Sequence, residues 1–229
     1  MQARLVSSHD LAPDVRHFEF EIADRGDFPF TPGQFVSIKE QVAGKEVTRA
    51  YSIASAPNGN RFALCLNRVP EGLVSPLLFD MSVGEQVEVQ QPLGYFTLRQ
   101  SGHPAVFVAT GTGVAPVRSI LLTALPQGAP ITLIFGARYP HGILYREEWE
   151  QMAKEYGHFR FLPTVTRPDE SWKGSVGRVQ GLLDDVLAGH APEKPDVYIC
   201  GMKEMVDDVR ALLKQKGFDR KQIVYEKYD

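Results

Sequence analysis

Three short stretches carry residue types that could do chemistry. The first is Ala109-Thr110-Gly111-Thr112-Gly113-Val114-Ala115-Pro116. An apolar run leads into it and an amphipathic pattern leads out, so its glycines sit where a strand turns into a helix. There they let the backbone come close to a pyrophosphate, and the helix start supplies free N–H groups at the positive end of its dipole. Pro116 falls in the first helical turn, where no N–H is needed, but it also replaces the third glycine of a G-x-G-x-x-G pattern. Read by itself, the stretch serves equally well as a tight turn that binds nothing. The second is Arg49-Ala50-Tyr51-Ser52-Ile53-Ala54-Ser55. Alternation along a strand puts Arg49 and Tyr51 on one face and Ser52 on the other. An arginine beside an aromatic ring can clamp a phosphate and stack on a planar group, although a surface Arg–Tyr pair explains the same residues. The third is Tyr198-Ile199-Cys200-Gly201. A cysteine closing an apolar strand is most often a small buried hydrophobe, and no His or basic cluster adjoins Cys200 to make a thiolate.

These residues need elements to position them. The stretch from residue 2 to about 98 reads as short alternating strands over 3–8, 16–22, 34–39, 47–54, 61–69 and 86–90. Pro13, Gly26, Thr31-Pro32-Gly33, Pro57-Asn58-Gly59, Val83-Gly84 and Pro92-Leu93-Gly94 punctuate them. Strands at this spacing predict a closed or nearly closed antiparallel β-barrel, with a short helix over 73–81. From His103 the rhythm becomes strand–helix alternation. The apolar run 105–109 suits a parallel strand buried on both faces, and Val117, Ile120, Leu121, Ala124 and Leu125 form a helical stripe. Further strands are expected over 131–135, 159–165, 196–200 and 223–225, and helices over 145–156, 179–187 and 203–216. This alternation predicts an α/β doubly wound parallel sheet. The boundary falls in the polar stretch 99–104, giving a barrel domain over 1–99 and an α/β domain over 100–229.

Composition narrows the function classes. A formal net charge of -3 argues against a nucleic-acid partner, which calls for a basic surplus. The opening MQARLVSSHD puts a charge and polar residues where a signal peptide needs an apolar core. No stretch approaches the roughly 20 apolar residues of a membrane span. Two cysteines without CxxC or His spacing leave no Cys-ligated iron–sulfur cluster and no metal site in this chain. A reducing cytoplasm is the simplest compartment. Cys65, in mid-strand, is expected in the core.

The order of the motifs carries more than any one of them. R-x-Y-S in a barrel, G-T-G-x-A-P opening an α/β domain and C-G near the C-terminus resemble the ferredoxin–NADP reductase family. Further signatures follow in order: Gly72-Leu73-Val74-Ser75, Pro92-Leu93-Gly94-Tyr95-Phe96, Met205 after Cys200-Gly201, and the tail Tyr225-Glu226-Lys227-Tyr228-Asp229. The resemblance covers nearly the whole chain. It implies FAD and a nicotinamide nucleotide held together. Arg49 would meet the flavin pyrophosphate, Tyr51 the isoalloxazine, with Ala50 between them, and Ser52 would lie near the flavin N5. Leu66, Asn67 and Arg68 would lie along the ribityl chain and flavin edge. Gly72, Val74 and Ser75, with Leu73 in the same turn, would cap the pyrophosphate. Thr110, Gly111, Thr112 and Gly113 would hold the nucleotide's phosphates. Cys200, Gly201 and Met205 would lie at the nicotinamide, with Cys200 packing and orienting it. Tyr228 would stack on the flavin where the nicotinamide must arrive, and Glu226 would contribute to orientation or proton supply.

In dinucleotide folds an acid ending the second strand selects NAD, whereas an arginine accommodates the 2′-phosphate of NADP. Here that strand ends Phe135-Gly136-Ala137-Arg138-Tyr139, and Arg167 and Arg178 could add charge around the same pocket. Solvated surface arginines would explain them too. The lean is to NADP, with NAD as the alternative. The resemblance implies hydride transfer between nicotinamide C4 and flavin N5, then delivery of single electrons to ferredoxin, flavodoxin or an oxygenase component, by a monomer. The rival readings are a reductase subunit inside a multicomponent oxygenase or dehydrogenase complex, and a non-catalytic nucleotide-binding module.

Overall fold

A computed structural model describes residues 1–99, 102–190 and 194–228. The N-terminal half forms β1 (Gln2–Ala12), β2 (Val15–Ile22), β3 (Phe35–Val42), β4 (Lys45–Ser52), β5 (Arg61–Asn67), helix α1 (Ser75–Asp80) and β6 (Gln86–Val89). The strands pair antiparallel in the order β4-β3-β6-β1-β2-β5, and a bridge between Ile53 and Leu64 joins the two outer members. That bridge closes the sheet into a barrel. Phe18, Phe20, Phe28, Phe62, Ile38 and Leu66 fill it. One hairpin is longer than its sequence signal: Val42 pairs directly with Lys45 across Ala43-Gly44. Both turn residues have positive φ, 50° and 75°, the geometry of a two-residue turn matched to strand twist. Alanine in place of Asn or Asp hides that turn from a reading of turn residues.

The C-terminal half forms β7 (Ala105–Thr110), α2 (Val114–Ala124), β8 (Ile131–Ala137), α3 (Arg146–Glu155), β9 (Phe159–Val165), β10 (Ser175–Val176), α4 (Gln180–Ala188), β11 (Asp196–Met202), α5 (Lys203–Gln215) and β12 (Ile223–Tyr228). The six strands run parallel in the order β10-β9-β8-β7-β11-β12. β7 is apolar along its length because it has helices on both sides. Ala105, Phe107 and Ala109 join the layer under α2 and α3, while Val106 and Val108 join the layer under α4 and α5. Strand order reverses at β7, between β8 and β11, which opens a crevice at the carboxyl ends of the strands. Ala54, Cys65 and Phe96 of the N-terminal half belong to the same apolar layer as α2 and α3, so the barrel docks on that face of the sheet.

Two expectations change. β12 runs past 225 to Tyr228, because Glu226 and Lys227 sit on an edge strand that tolerates polar residues. The two-residue β10 had no sequence signal. The expected boundary at 99–104 includes Gln100 and Ser101, which lie outside the described residues. Among the described residues no helix is long and apolar enough to cross a membrane, and no group of three or more His, Cys, Asp or Glu could hold a metal ion.

Candidate functional site

Side chains from the two halves meet where β4 ends. Ser52, buried at that end, donates from Oγ to Glu226 Oε1 at 3.0 Å, and the Tyr228 hydroxyl lies 3.0 Å from the same Oγ. The Cys200 thiol donates to the Tyr228 oxygen at 3.5 Å. Since the Ser52 proton goes to the carboxylate, Tyr228 donates to Ser52, and the bonds run one way from Cys200 through Tyr228 and Ser52 to Glu226. Strand register explains the convergence. Glu226 pairs with Cys200 and Tyr228 with Met202 across β11 and β12, and a period of two puts Glu226 and Tyr228 on one face. Burial raises the Glu226 carboxyl above the usual carboxylate range, against the Ser52 hydrogen bond. Burial, reinforced by the Glu226 carboxylate, holds the Tyr228 phenol well above its ordinary value. The Cys200 thiol is likewise pushed up by burial and then by Glu226. It stays protonated and is no nucleophile.

The crevice at the switch point is shaped by missing side chains. A Cβ on Gly113 would fall 2.3 Å from the Cys200 carbonyl oxygen, so glycine lets the start of α2 rest on β11. Gly201, at φ +152°, would put a Cβ 2.3 Å from Thr110 Oγ1. At Gly111, φ +54°, nothing lies within 4 Å of that direction, and the backbone faces open space. Beside this turn is a cleft of about 420 Å³ lined by Thr110, Gly111, Arg138, Thr166, Arg178, Gln180, Met202, Glu204 and Met205. Thr110 Oγ1 and Gln180 Oε1 are buried here without a hydrogen-bond partner. Buried polar atoms are rarely left so, and a polar ligand would satisfy both. Arg178 keeps a loose pair with Asp208 at 3.6 Å. Arg167 does not line the cleft, which takes its neighbour Thr166 instead; its Nη1 donates to the Tyr139 hydroxyl at 3.2 Å.

On the barrel, Arg49 and Ala50 are exposed and Tyr51 is half-buried. Tyr51 packs against the barrel core, with its phenol pushed up to about 12 by burial, against the Arg49 charge. Asn67 and Arg68 are exposed, and Arg68 pairs with Asp80 at 3.1 Å. Leu66, expected along the ribityl chain, is buried. β5 is buried on both faces, and Leu66 points with Phe62 and Leu64 into the barrel. In the turn before α1, Val74 is buried and the Ser75 hydroxyl takes the Val69 N–H at 3.0 Å, so what faces outward is backbone and the exposed Leu73.

A second junction had no motif to announce it. Arg118, on α2, grips Glu148 through Nε and Nη2, both at 2.7 Å, and donates from Nη1 to the Ala54 carbonyl at 2.7 Å. Its guanidinium lies 4.7 Å from the Tyr145 ring centre. Ser119 Oγ donates to the Ser55 carbonyl at 2.6 Å. Tyr145 reaches from the start of α3 to share a 2.8 Å hydrogen bond with His17 on β2, beside the Cys65 thiol. Cys65 is core, as expected, but core of the seam between the two halves, and burial pushes its thiol up to about 12. Periodicity reads Arg118 as a solvated residue next to an apolar stripe, which is why it escaped notice.

The orphaned Thr110 and Gln180 oxygens, the glycine-lined turn, and the exposed Arg49 with the half-buried Tyr51 beside Ser52 fit a dinucleotide and a second, planar cofactor. Comparison with known proteins points the same way. Residues 2–98 match the model of the oxidoreductase FAD-binding domain and residues 107–211 that of the oxidoreductase NAD-binding domain. The chain is 42% identical to a protein named ferredoxin–NADP reductase B from Sorangium cellulosum, covering 100% of this chain and 97% of that one. It is 29% identical to the toluate 1,2-dioxygenase electron transfer component of Pseudomonas putida, over 99% of this chain and 67% of that protein. The fold is shared with the FAD/NAD-binding domain of nitric oxide dioxygenase from Vibrio cholerae, at a TM-score of 0.89 and 24% identity over 99% of this chain and 98% of that one. A barrel closed before Ser52, a doubly wound sheet whose switch point faces it, and a full-length relative at this identity give one answer: the chain belongs to the ferredoxin–NADP reductase family of FAD- and NAD-binding oxidoreductases.

Proposed function

We propose that this oxidoreductase passes electrons between NADPH and a one-electron carrier such as ferredoxin or flavodoxin, with FAD as the intermediary. The convergence of Ser52, Glu226, Tyr228 and Cys200 carries the reading, since it brings the barrel and the nucleotide crevice to one point. When bound, the two cofactors supply hydride transfer between nicotinamide C4 and flavin N5. The chain does the rest. Arg49 and the turn at Gly72–Ser75 hold the flavin pyrophosphate, while Ala50, Tyr51, Asn67 and Arg68 line the flavin. Thr110 and the backbone of Gly111–Gly113 hold the nucleotide phosphates. Arg138 and Arg178 favour a 2′-phosphate and so NADPH over NADH. Gly201 and Met205 leave room for the nicotinamide, and Cys200 packs beside it as a neutral thiol. Tyr228 would cover the flavin face and would have to swing aside for the nicotinamide, a gating motion of this chain's own side chain. Ser52 hydrogen-bonds near N5, and Glu226, raised by burial, holds or releases a proton at Ser52 Oγ.

The two cofactor domains divide at 99/100, and the chain works as a monomer in the cytoplasm, where its two buried free cysteines stay reduced. A second reading, the reductase of a multicomponent oxygenase, is favoured by the similarity to the toluate dioxygenase component; the iron–sulfur cluster would then sit on another chain. The test is NADPH-dependent reduction of ferredoxin, flavodoxin and an oxygenase component by the FAD-loaded protein. Reduction of ferredoxin or flavodoxin supports the first reading, and reduction of the oxygenase component alone supports the second. A flavin that NADPH bleaches but that reduces no carrier would sink both.

A further inference from the structure

Helix α2 does two things at once. The turn at Gly111–Gly113 that leads into it is the proposed nucleotide cradle, and one turn into the helix it grips the barrel segment that follows Ser52. Arg118 Nη1 donates to the carbonyl of Ala54 at 2.7 Å and Ser119 Oγ to the carbonyl of Ser55 at 2.6 Å. These are the second and third residues after Ser52. Their neighbourhood on the other side is fixed by the barrel itself: the Ile53 N–H donates to the Gln34 carbonyl at 2.9 Å and the Ala54 N–H to the Ala63 carbonyl at 2.7 Å. The segment is thus held by barrel backbone through its N–H groups and by α2 through its C=O groups.

The grip is rigid rather than incidental. Arg118 spends Nε and Nη2 on a bidentate pair with Glu148, which fixes the plane of the guanidinium and aims Nη1 at Ala54. The Tyr145 ring closes one side. Tyr145 itself adopts φ 56°, an unfavourable backbone for an aromatic residue that persists only where its surroundings fix it. Ser119 is fully buried. At 1.5 Å per residue, the five residues from Gly113 to Arg118 span about 7.5 Å of helix. Few soft torsions lie between the cradle and Ser52.

We infer that Arg118 and Ser119 are positioning residues that set the spacing of the nicotinamide and flavin rings, by bolting the nucleotide-binding helix to the strand that carries Ser52. The inference rests on assigning the flavin to Ser52 and the nucleotide phosphates to Gly111–Gly113. It separates cofactor affinity from cofactor alignment: both side chains donate to protein groups, Glu148 and the Ala54 and Ser55 carbonyls, yet a shift of about 1 Å between reacting groups can cost on the order of a hundredfold in rate.

The experiment uses the FAD-loaded full chain with Ser119→Ala and Arg118→Lys. The first removes one buried hydroxyl; the second keeps the charge but cannot hold Glu148 and Ala54 in one plane. Four quantities are read: flavin content, NADP affinity by titration, the long-wavelength charge-transfer absorbance of the stacked rings, and the anaerobic rate of flavin bleaching by NADPH. Flavin content and NADP affinity should match wild type, while charge-transfer absorbance and bleaching rate fall together by about tenfold or more. An unchanged band and rate in Ser119→Ala would overturn the inference even if Arg118→Lys fails to fold. A rate that falls only in proportion to lost flavin or lost affinity would overturn it as well, because the role would then be structural. A wild-type chain that takes up no flavin, or binds it without responding to NADP, overturns the site assignment and the inference with it.

Discussion

Ser52 and Tyr228 are 176 residues apart in the chain and joined by a 3.0 Å hydrogen bond. Ser52 belongs to the barrel and Tyr228 to the edge strand of the parallel sheet, so the contact forms only when both halves are folded and docked. Cys200 and Glu226 extend it to either side.

If Tyr228 occupies the flavin face that the nicotinamide needs, shortening it should strengthen nucleotide binding. Aromatic stacking contributes about 0.5–1.5 kcal/mol beyond area burial, so Tyr228→Ser should tighten NADP by about threefold to tenfold and slow its release. Binding titration and stopped-flow release measure both. Unchanged affinity would count against the assignment.

Arg138 and Arg178 both line the nucleotide cleft, with Asp208 as a loose partner for the latter. Hydrogen bonds to charged groups contribute about 1.5–3 kcal/mol. Replacing either arginine by Ala should therefore lower kcat/KM for NADPH by about tenfold or more and leave NADH nearly unaffected. Arg167→Ala, outside the cleft lining, should change neither. Equal losses for both nucleotides would mean that the arginines do not read the 2′-phosphate.

Gly113 has no room for a methyl group, whose nearest neighbour would be the Cys200 carbonyl oxygen at 2.3 Å. Backbone cannot swing aside, so Gly113→Ala should destabilise the fold by about 1–3 kcal/mol and weaken nucleotide binding, with FAD retained on the barrel. Denaturant midpoint, nucleotide titration and flavin content check the three parts. A variant with wild-type stability and affinity would show that α2 does not need to rest on β11.

His17 makes stability pH-dependent in a stated direction. Burial first, then the positive charges of Arg118 and His9, push its pKa from 6.5 to about 4, against the pull of Glu19. In the unfolded chain it titrates near 6.5. Below that, the unfolded state takes a proton that the folded state refuses, so stability is lost as pH falls from about 6.5 toward about 4. At 1.36 kcal/mol per pKa unit the loss reaches about 3 kcal/mol. His17→Gln should reduce the fall in melting temperature between about pH 7 and pH 5 relative to wild type; parallel curves would contradict it.

Much of this site can be read from residue types and order because the elements that carry it follow simple rules. The apolar run at 105–109 had to be buried on both faces, and Gly111–Gly113 had to lie where it turned into a helix. Alternation placed Ser52 opposite Arg49 and Tyr51. What escaped depends on long-range packing. Tyr228 was assigned to the site only through the resemblance of the tail, because β12 continues along β11 beyond its apolar residues and local hydrophobicity does not signal that. Leu66 came from the family resemblance alone, and its burial in the barrel core depends on β5 being covered on both sides. Arg118, Ser119, Tyr145 and His17 belong to no local pattern; their meaning appears only when α2 and α3 meet the barrel.

The most direct test loads the purified chain with FAD and titrates it anaerobically with NADPH, then with NADH, while the visible spectrum is recorded. The meeting of Ser52, Tyr228 and Cys200 at the mouth of the nucleotide crevice predicts a bound flavin that an equimolar amount of NADPH bleaches, with NADH less effective. A protein that stays colourless after FAD is added, or a bound flavin that neither nucleotide bleaches, would contradict it.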